Sequence, residues 1–305
     1  MGLLPADIDI LPPSDDRVFK LILTSPDGKP ALIDLISSII GRRVVDAAIL
    51  NNELPPGDTA EKAERLDVNC MTDDGTQIDL EMQASRIQED LNGEHKNLKG
   101  KGIYYLCDLH SSQPSKGLRR YDRLAQTYQV TFCSYTVFPK LPDYANSFSM
   151  RHDLTNELLS DAIRVIYVEL SKLGGILKKP VSEMGDLEKW ALFFQYANIP
   201  AHRETLNKVI ETKEALKMAG DLLMSVSKDE HERAVFRSRR MYQTDLASNL
   251  ATAEDRGRQE GMQKGRQEGV VEVARNLLKM RLPLDEIATA TGLTIEAINR
   301  LRHDG

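Results

Sequence analysis

Two carboxylates in alternating runs, Asp67 and Glu81, with Gln83 two residues after the second, are the side chains in this sequence whose types and spacing could do chemistry. They lie in the stretch Arg65 to Gln83, RLDVNCMTDDGTQIDLEMQ, where two alternating runs flank Asp73-Asp74-Gly75. That pattern predicts a β-hairpin. Leu66, Val68 and Cys70 share a face with Ile78, Leu80 and Met82, and the other face carries Asp67, Asn69, Gln77, Asp79, Glu81 and Gln83. A hairpin symmetric about Asp74 pairs residues whose numbers sum to 148, which sets Asp67 opposite Glu81. Two carboxylates held so close repel unless something lies between them. Converging oxygen ligands are what a hard divalent cation such as Mg2+ requires. Such an ion activates water and neutralises charge that builds on a phosphate during transfer. A hairpin with one solvated face gives the same alternation with no site at all. A register slip of one residue would also undo the arrangement.

The elements that must position these residues follow from the surrounding pattern. Residues 1–14 are dotted with proline, and Asp16-Arg17-Val18-Phe19-Lys20 opens a short apolar segment through Leu23. Residues 29–41 place Leu32, Leu35, Ile36, Ile39 and Ile40 on one helical face, with Gly41 as the stop. Val44 to Asn51 reads as a strand before the hairpin, and residues 94–113 as a helix with Ile103, Tyr104, Leu106, Cys107 and Leu109 on its apolar side. A short helical piece spans Leu118 to Leu124, and Tyr128 to Phe138 is a strand rich in β-formers. The expected class is α/β: a core of helix, three-strand antiparallel meander, helix and strand, with a helical C-terminal extension. The expected domains are a core over 1–140, a strand-containing and mostly helical extension over 141–250, and a tail over 251–305. Ile163 to Leu170 should add a strand, and Leu187 to Tyr196, around Trp190, a core helix.

At 305 residues the chain can bury a substantial core, and 28% charged with 41% hydrophobic residues is ordinary for a soluble protein. A net charge of −6 excludes a global basic field. Binding to nucleic acid would have to come from local patches and metal ions. Three isolated cysteines, Cys70, Cys107 and Cys133, with no Cys-x-x-Cys pattern, suit a reducing cytoplasm. Neither a signal peptide nor a transmembrane run is expected.

The tail opens with Gly257, Gly261, Gly265 and Gly269 among charged residues, which predicts a fraying helix or linker. Residues 270–302 then read as helix, turn, helix, with Ile287, Ile295, Ile298 and Leu301 inward and Thr291-Gly292-Leu293 at the turn. This pair resembles the helix-turn-helix of transposases and repressors. Thr294 to Arg302 holds few basic residues beyond Arg300 and Arg302, which speaks against groove reading; the pair also reads as a small three-helix cap or an assembly element, through which a homo-oligomer would form over residues 251–305.

With these pieces in order, the chain resembles the PD-(D/E)XK nuclease family of transposase-like proteins, the recombination-promoting nucleases. Asp16-x-x-Phe19-Lys20 matches its D-x-x-F-K, Lys62 with Leu66-Asp67-Val68 its K…L-D-V, and Glu81-Met82-Gln83 its E-M-Q. Tyr104-Tyr105, Gln113, Gly117 and Tyr121 match its helix pattern, and the likeness runs nearly end to end. The resemblance implies a restriction-endonuclease-like core cutting DNA with Mg2+, or Mn2+ in its place, and promoting recombination through the breaks. By that analogy Asp67 and Glu81 would hold the metal, with the backbone carbonyl of Met82 as a third oxygen. Gln83 stands where the wider superfamily has a lysine; a neutral amide can orient a water but not offset charge. Asp16 would orient a water or help hold the ion, or else cap a turn. Lys20 reads as helix packing or a core ion pair. Lys96, Lys99 and Lys101, then Lys116, Arg119, Arg120 and Arg123, would contact DNA phosphates beside the site. The alternative is a catalytically weak or inactive nuclease fold that binds DNA or protein without cutting.

Overall fold

The computed structural model describes residues 4–5, 7–50, 68–84, 95–113 and 121–303. Six strands form one sheet in the order β1-β2-β3-β4-β6-β5, where β1 is Ala47–Ile49, β2 Val68–Thr72, β3 Gln77–Gln83, β4 Thr127–Cys133, β5 Ala145–Phe148 and β6 Ile163–Glu169. β1, β2 and β3 pair antiparallel, whereas β4 runs parallel to both β3 and β6, and β5 pairs antiparallel with β6 at the edge. Parallel central strands are covered on both faces, and every residue of β4 is accordingly buried.

The hairpin has the register the turn predicts. Val68 faces Leu80, Asn69 faces Asp79, Cys70 faces Ile78 and Met71 faces Gln77. Gly75 takes a positive φ of 87° at the turn, a conformation glycine adopts without steric cost. The Asp74 carboxylate accepts hydrogen bonds from the Thr72 hydroxyl at 2.6 Å and the Thr76 N–H at 3.2 Å, which fixes the turn.

The apolar face of the sheet lies under helices. α1 is Asp16–Thr24, α2 Lys29–Ile40, α4 Asp186–Tyr196, α5 Arg203–Glu211 and α6 Glu214–Lys228. Asp15 caps α1, its carboxylate accepting from the N–H groups of Arg17 and Val18. Val18, Phe19, Ile22 and Leu23 recur at helical spacing on the buried side, and Phe19, Phe132 and Phe194 meet with ring centroids 5.1–5.7 Å apart. Lys20 is fully buried on the same helix. The opposite face carries α3, Lys96–Ser111, which buries Leu98, Gly102 and Leu106.

Several expectations need correction. Ile103, Tyr104 and Cys107 are exposed, because α3 turns the Leu98-Gly102-Leu106 stripe to the sheet instead. A Cβ on Gly102 would lie 2.8 Å from the Tyr167 hydroxyl, so glycine there is what lets the helix come this close. The strand expected at Ile163 to Leu170 is present as β6, and it lies between β4 and β5 in the same sheet. The short piece at Leu118 to Leu124 is described only from residue 121, as a single helical turn Tyr121–Arg123.

By contacts the chain divides into Met1–Arg233 and Ala234–Gly305. α7, Glu230–Lys279, begins at the end of the first unit and runs on through the second. It carries Gly257, Gly261, Gly265 and Gly269 within continuous helix, where the sequence predicts a fraying helix or linker. Each glycine costs a helix about 1 kcal/mol relative to alanine. The intervening Glu, Arg, Gln, Lys and Met are strong helix formers, and the last turns are anchored by packing. Ala274 of α7 forms a core with Ile287 of α8, Leu284–Thr291, and Ile298 of α9, Ile295–His303. α8 and α9 are the expected helix, turn, helix, packed with the end of α7 as a three-helix cluster; Gly292 ends α8 at a φ of 73°, and Ile295, expected inward, is exposed. Among the described residues no helix is long and apolar enough to cross a membrane.

Candidate active site

Glu81 sits near the end of β3, 4% exposed, on the sheet face that α3 covers. Alternation and register put Asp79 and Gln83 on the same face. The same register aligns Gln129 and Thr131 of β4 with Asp79 and Glu81, and Tyr167 of β6 with Thr131. Asn69 of β2 lies opposite Asp79. The polar residues of the hairpin thus form an enclosed strip rather than a solvated face.

Lys101 of α3 closes the strip from above. Its Nζ donates to Glu81 Oε1, with side-chain exposures of 29% for the lysine and 5% for the glutamate. The same ammonium lies over the Tyr105 ring, 5.4 Å from the centroid. Glu81 Oε2 is buried and has no hydrogen-bond partner among the described residues. The same holds for Asn69 Oδ1, Gln77 Oε1, Thr131 Oγ1 and both amide atoms of Gln129. A buried polar atom without a partner costs about 1–3 kcal/mol. Several of them along one strip are a demand for ordered water or a cation.

Negative charge on this face acts on its neighbours. Burial first, then the Cys133 and Glu81 charges, push the Tyr167 phenol well above its usual range. Burial, Glu169 and Glu81 do the same to the Cys133 thiol. On the other face of β2, burial and the Asp79 charge push the Cys70 thiol up to about 12.

The expected site residues separate clearly. Glu81 and Lys101 are brought together, and Gln83 shares their face, half-buried, with its carbonyl accepting from the Ser134 N–H at 3.1 Å. Met82 turns its buried side chain to the opposite face, so any part it plays falls to its backbone. Asp16 opens α1 and accepts from the Arg17 N–H at 2.8 Å. That helix packs against the face opposite Glu81, and the capping role belongs to Asp15. Lys99 lies over the Phe138 ring at 4.8 Å, while Lys96 and Arg123 are exposed. Asp67, Lys62, Lys116, Gly117, Arg119 and Arg120 lie outside the described residues.

Some contributors had no role assigned from the sequence. Asp79, Gln129 and Thr131 line the strip, and their signal was alternation in strands already recognised. Gln113 clamps the end of α3 to the start of β4. Its amide oxygen accepts from the Ala125 N–H at 2.8 Å, and its NH2 donates to the Ala125 carbonyl at 2.9 Å and the Thr127 hydroxyl at 3.1 Å. An open cleft beside α2 holds Asp34, Arg42, Asp186 and Lys213, but Lys213 pairs there with Asp34 and Asp186, Arg42 pairs with Asp74 of the hairpin turn, and the cleft lies off the strip.

The sequence profile described as "PD-(D/E)XK nuclease family transposase" matches residues 13–253, most of the chain. The chain belongs to that family. The α/β fold with a six-stranded sheet agrees with this nuclease fold. No curated protein and no solved structure matches the chain.

Nucleases of this family imply a divalent metal, and the donor chemistry of the strip fits one. Its groups are hard oxygens, carboxylate, amide and hydroxyl, of the kind Mg2+ prefers over the sulfur and imidazole that zinc selects. Among the described residues no group of three or more His, Cys, Asp or Glu gathers. Glu81, whose Oε2 has no hydrogen-bond partner among the described residues, is the described carboxylate that fits best.

Proposed function

We propose that this chain is a Mg2+-dependent DNA endonuclease that hydrolyses phosphodiester bonds and promotes recombination through the breaks. The observation that carries it is Glu81, a buried carboxylate with one oxygen held by Lys101 and the other without a hydrogen-bond partner among the described residues, in a chain of a nuclease family. Mg2+, or Mn2+ in its place, would be held by Glu81, Asp67 and the backbone carbonyl of Met82. When bound it supplies charge neutralisation at the phosphate and a water acidified for attack.

The chain's own residues do the rest. Gln83, on the Glu81 face, orients the attacking water through its amide. Asp16 is assigned a supporting part in orienting water or holding the ion. Lys99, Lys101, Lys116, Arg119 and Arg120 provide sequence-independent phosphate affinity that weakens with salt. α3 covers the site and keeps bulk water off the carboxylate, which strengthens each electrostatic contact there. We assign the activity to the cytoplasm, where the three free thiols are at home, and assembly to residues 251–305, for which the sedimentation of the full chain is the check.

Supercoiled plasmid incubated with Mg2+, Mn2+ or EDTA tests this reading. Nicking that requires metal and is lost in Asp67→Ala supports it. The neutral Gln83 favours a second reading, a nuclease fold that binds DNA without cutting. Retarded plasmid that stays supercoiled under every metal would establish that one instead.

A further inference from the structure

We propose that Lys101 is the cation that meets the scissile phosphate beside Glu81, the part that a lysine at residue 83 would otherwise take. The inference rests on the hydrolytic reading above and narrows the phosphate contact assigned to Lys101 to the phosphate that is cut.

Gln83 shares the Glu81 face but carries no charge, so the build-up of negative charge on a phosphate needs a cation from elsewhere. Lys101 Nζ is already on Glu81 Oε1, and it is the more exposed partner of the pair. A phosphate approaching Glu81 from solvent would therefore come up against the ammonium. An ammonium has three donors, so it can keep its bond to Glu81 while donating to a non-bridging phosphate oxygen.

The position is built rather than incidental. Leu98, Gly102 and Leu106 seat α3 on the sheet, and Gly102 permits its close approach to Tyr167. That seating carries the neighbouring Lys101 to Glu81, and the Tyr105 ring lies under the ammonium on the same helix. The competing explanation is that Lys101 merely neutralises a buried carboxylate, which would otherwise be costly.

In the step, a water oxygen attacks phosphorus and the P–O3′ bond breaks. The O3′ oxygen leaves with the electron pair and takes a proton from solvent, and the attacking water releases its proton to solvent. Lys101 stays protonated throughout and donates to the non-bridging oxygen as its charge grows.

The test is duplex DNA binding by the full chain in Ca2+ across a salt series, with gels confirming intact DNA, alongside plasmid cleavage in Mg2+. One phosphate contact contributes a slope of about 0.9 in log affinity against log salt. Lys101→Met should lower the slope by about that amount, and Lys101→Arg should retain it. Lys101→Gln, which can keep a hydrogen bond to Glu81, replaces the methionine variant if melting shows that one unfolded. Cleavage should fall about 100-fold or more in Lys101→Met, the scale of losing one electrostatic donor. The Gln83→Lys, Lys101→Met double variant should regain about tenfold. An unchanged salt slope in Lys101→Met or Lys101→Gln overturns the proposal even if cleavage falls, because that is the behaviour of a buried counter-ion. A wild-type chain that binds but never cuts removes the hydrolytic reading and leaves the slope to decide Lys101.

Discussion

The seating of α3 can be tested at Gly102, where two effects of opposite sign compete. An alanine Cβ there would lie 2.8 Å from the Tyr167 hydroxyl and 3.8 Å from Gln129 Cγ. The first contact is well inside the ~3.5 Å at which such atoms pack comfortably. Tyr167 is 3% exposed and packed against Phe138, with ring centroids 5.2 Å apart, so it has little room to retreat. Overpacking of this kind costs about 1–3 kcal/mol, whereas alanine in place of a helical glycine gains about 1 kcal/mol. Gly102→Ala should therefore be destabilising by up to about 2 kcal/mol. Removing the hydroxyl changes the sign. Tyr167→Phe gives up one long hydrogen bond, to the Leu98 carbonyl at 3.4 Å, and leaves the nearest ring carbon at an ordinary 3.7 Å. In that background Gly102→Ala should stabilise by up to about 1 kcal/mol. Urea unfolding of the four proteins in the cycle gives the coupling directly. Additivity within about 0.5 kcal/mol would refute the close approach of helix and tyrosine.

Glu169 is fully buried and accepts from the N–H groups of Val137 and Phe138, the Asn146 amide and Lys172 Nζ. Glu169→Ala leaves these donors without their acceptor and should cost about 3–5 kcal/mol by urea unfolding; a loss under about 1 kcal/mol would contradict that role. Cys107 is exposed while Cys70 and Cys133 are buried with raised pKa values, so one of the three thiols should react quickly with a thiol reagent in the folded chain. Rapid labelling of a second would show that the sheet is more open than described. Burial holds the His110 pKa below its ordinary 6.5, and its Nδ1 lies 2.8 Å from the Thr127 hydroxyl. A group depressed in the folded state contributes its full stability above its unfolded value. The stability should thus fall as pH drops below about 6.5 through the native value, and His110→Gln should flatten that part of a melting-temperature profile. An unaltered profile would remove the assignment.

The hairpin was legible because its signal is local. Alternation fixed the faces, Asp74-Gly75 fixed the turn, and together they fixed the register from Val68–Leu80 to Met71–Gln77. α2 was legible for the same reason, with Gly41 at a φ of 72° ending it. The parallel pairing of β4 with β3 and β6 was not, since strands joined through a helix or a long connection leave no mark of their order in the intervening sequence. The glycine stripe in α7 left helix and linker both open because each glycine weakens a helix individually, while the run of helix formers around it acts together.

The site divides along the same line. Alternation put Glu81 on the polar face with Asp79 and Gln83, and the likeness to the family's E-M-Q strand is what singled it out. Its pairing with Lys101 could not, because it depends on how far α3 descends onto the sheet at Gly102, which only the packing against Tyr167 determines. Asp79, Gln129 and Thr131 were visible as polar alternation, but their burial follows from α3 covering the strip, a tertiary fact.

The account stands on Glu81 as the chemical centre of a metal-dependent cut. Glu81→Gln preserves size and shape while removing the charge, so the decisive measurement is its rate of plasmid nicking in Mg2+ against the wild type, with melting curves showing both folded. A fall of about 1,000-fold is expected from removing a residue on which metal and phosphate both depend. Nicking by Glu81→Gln at the wild-type rate would contradict the account at its core.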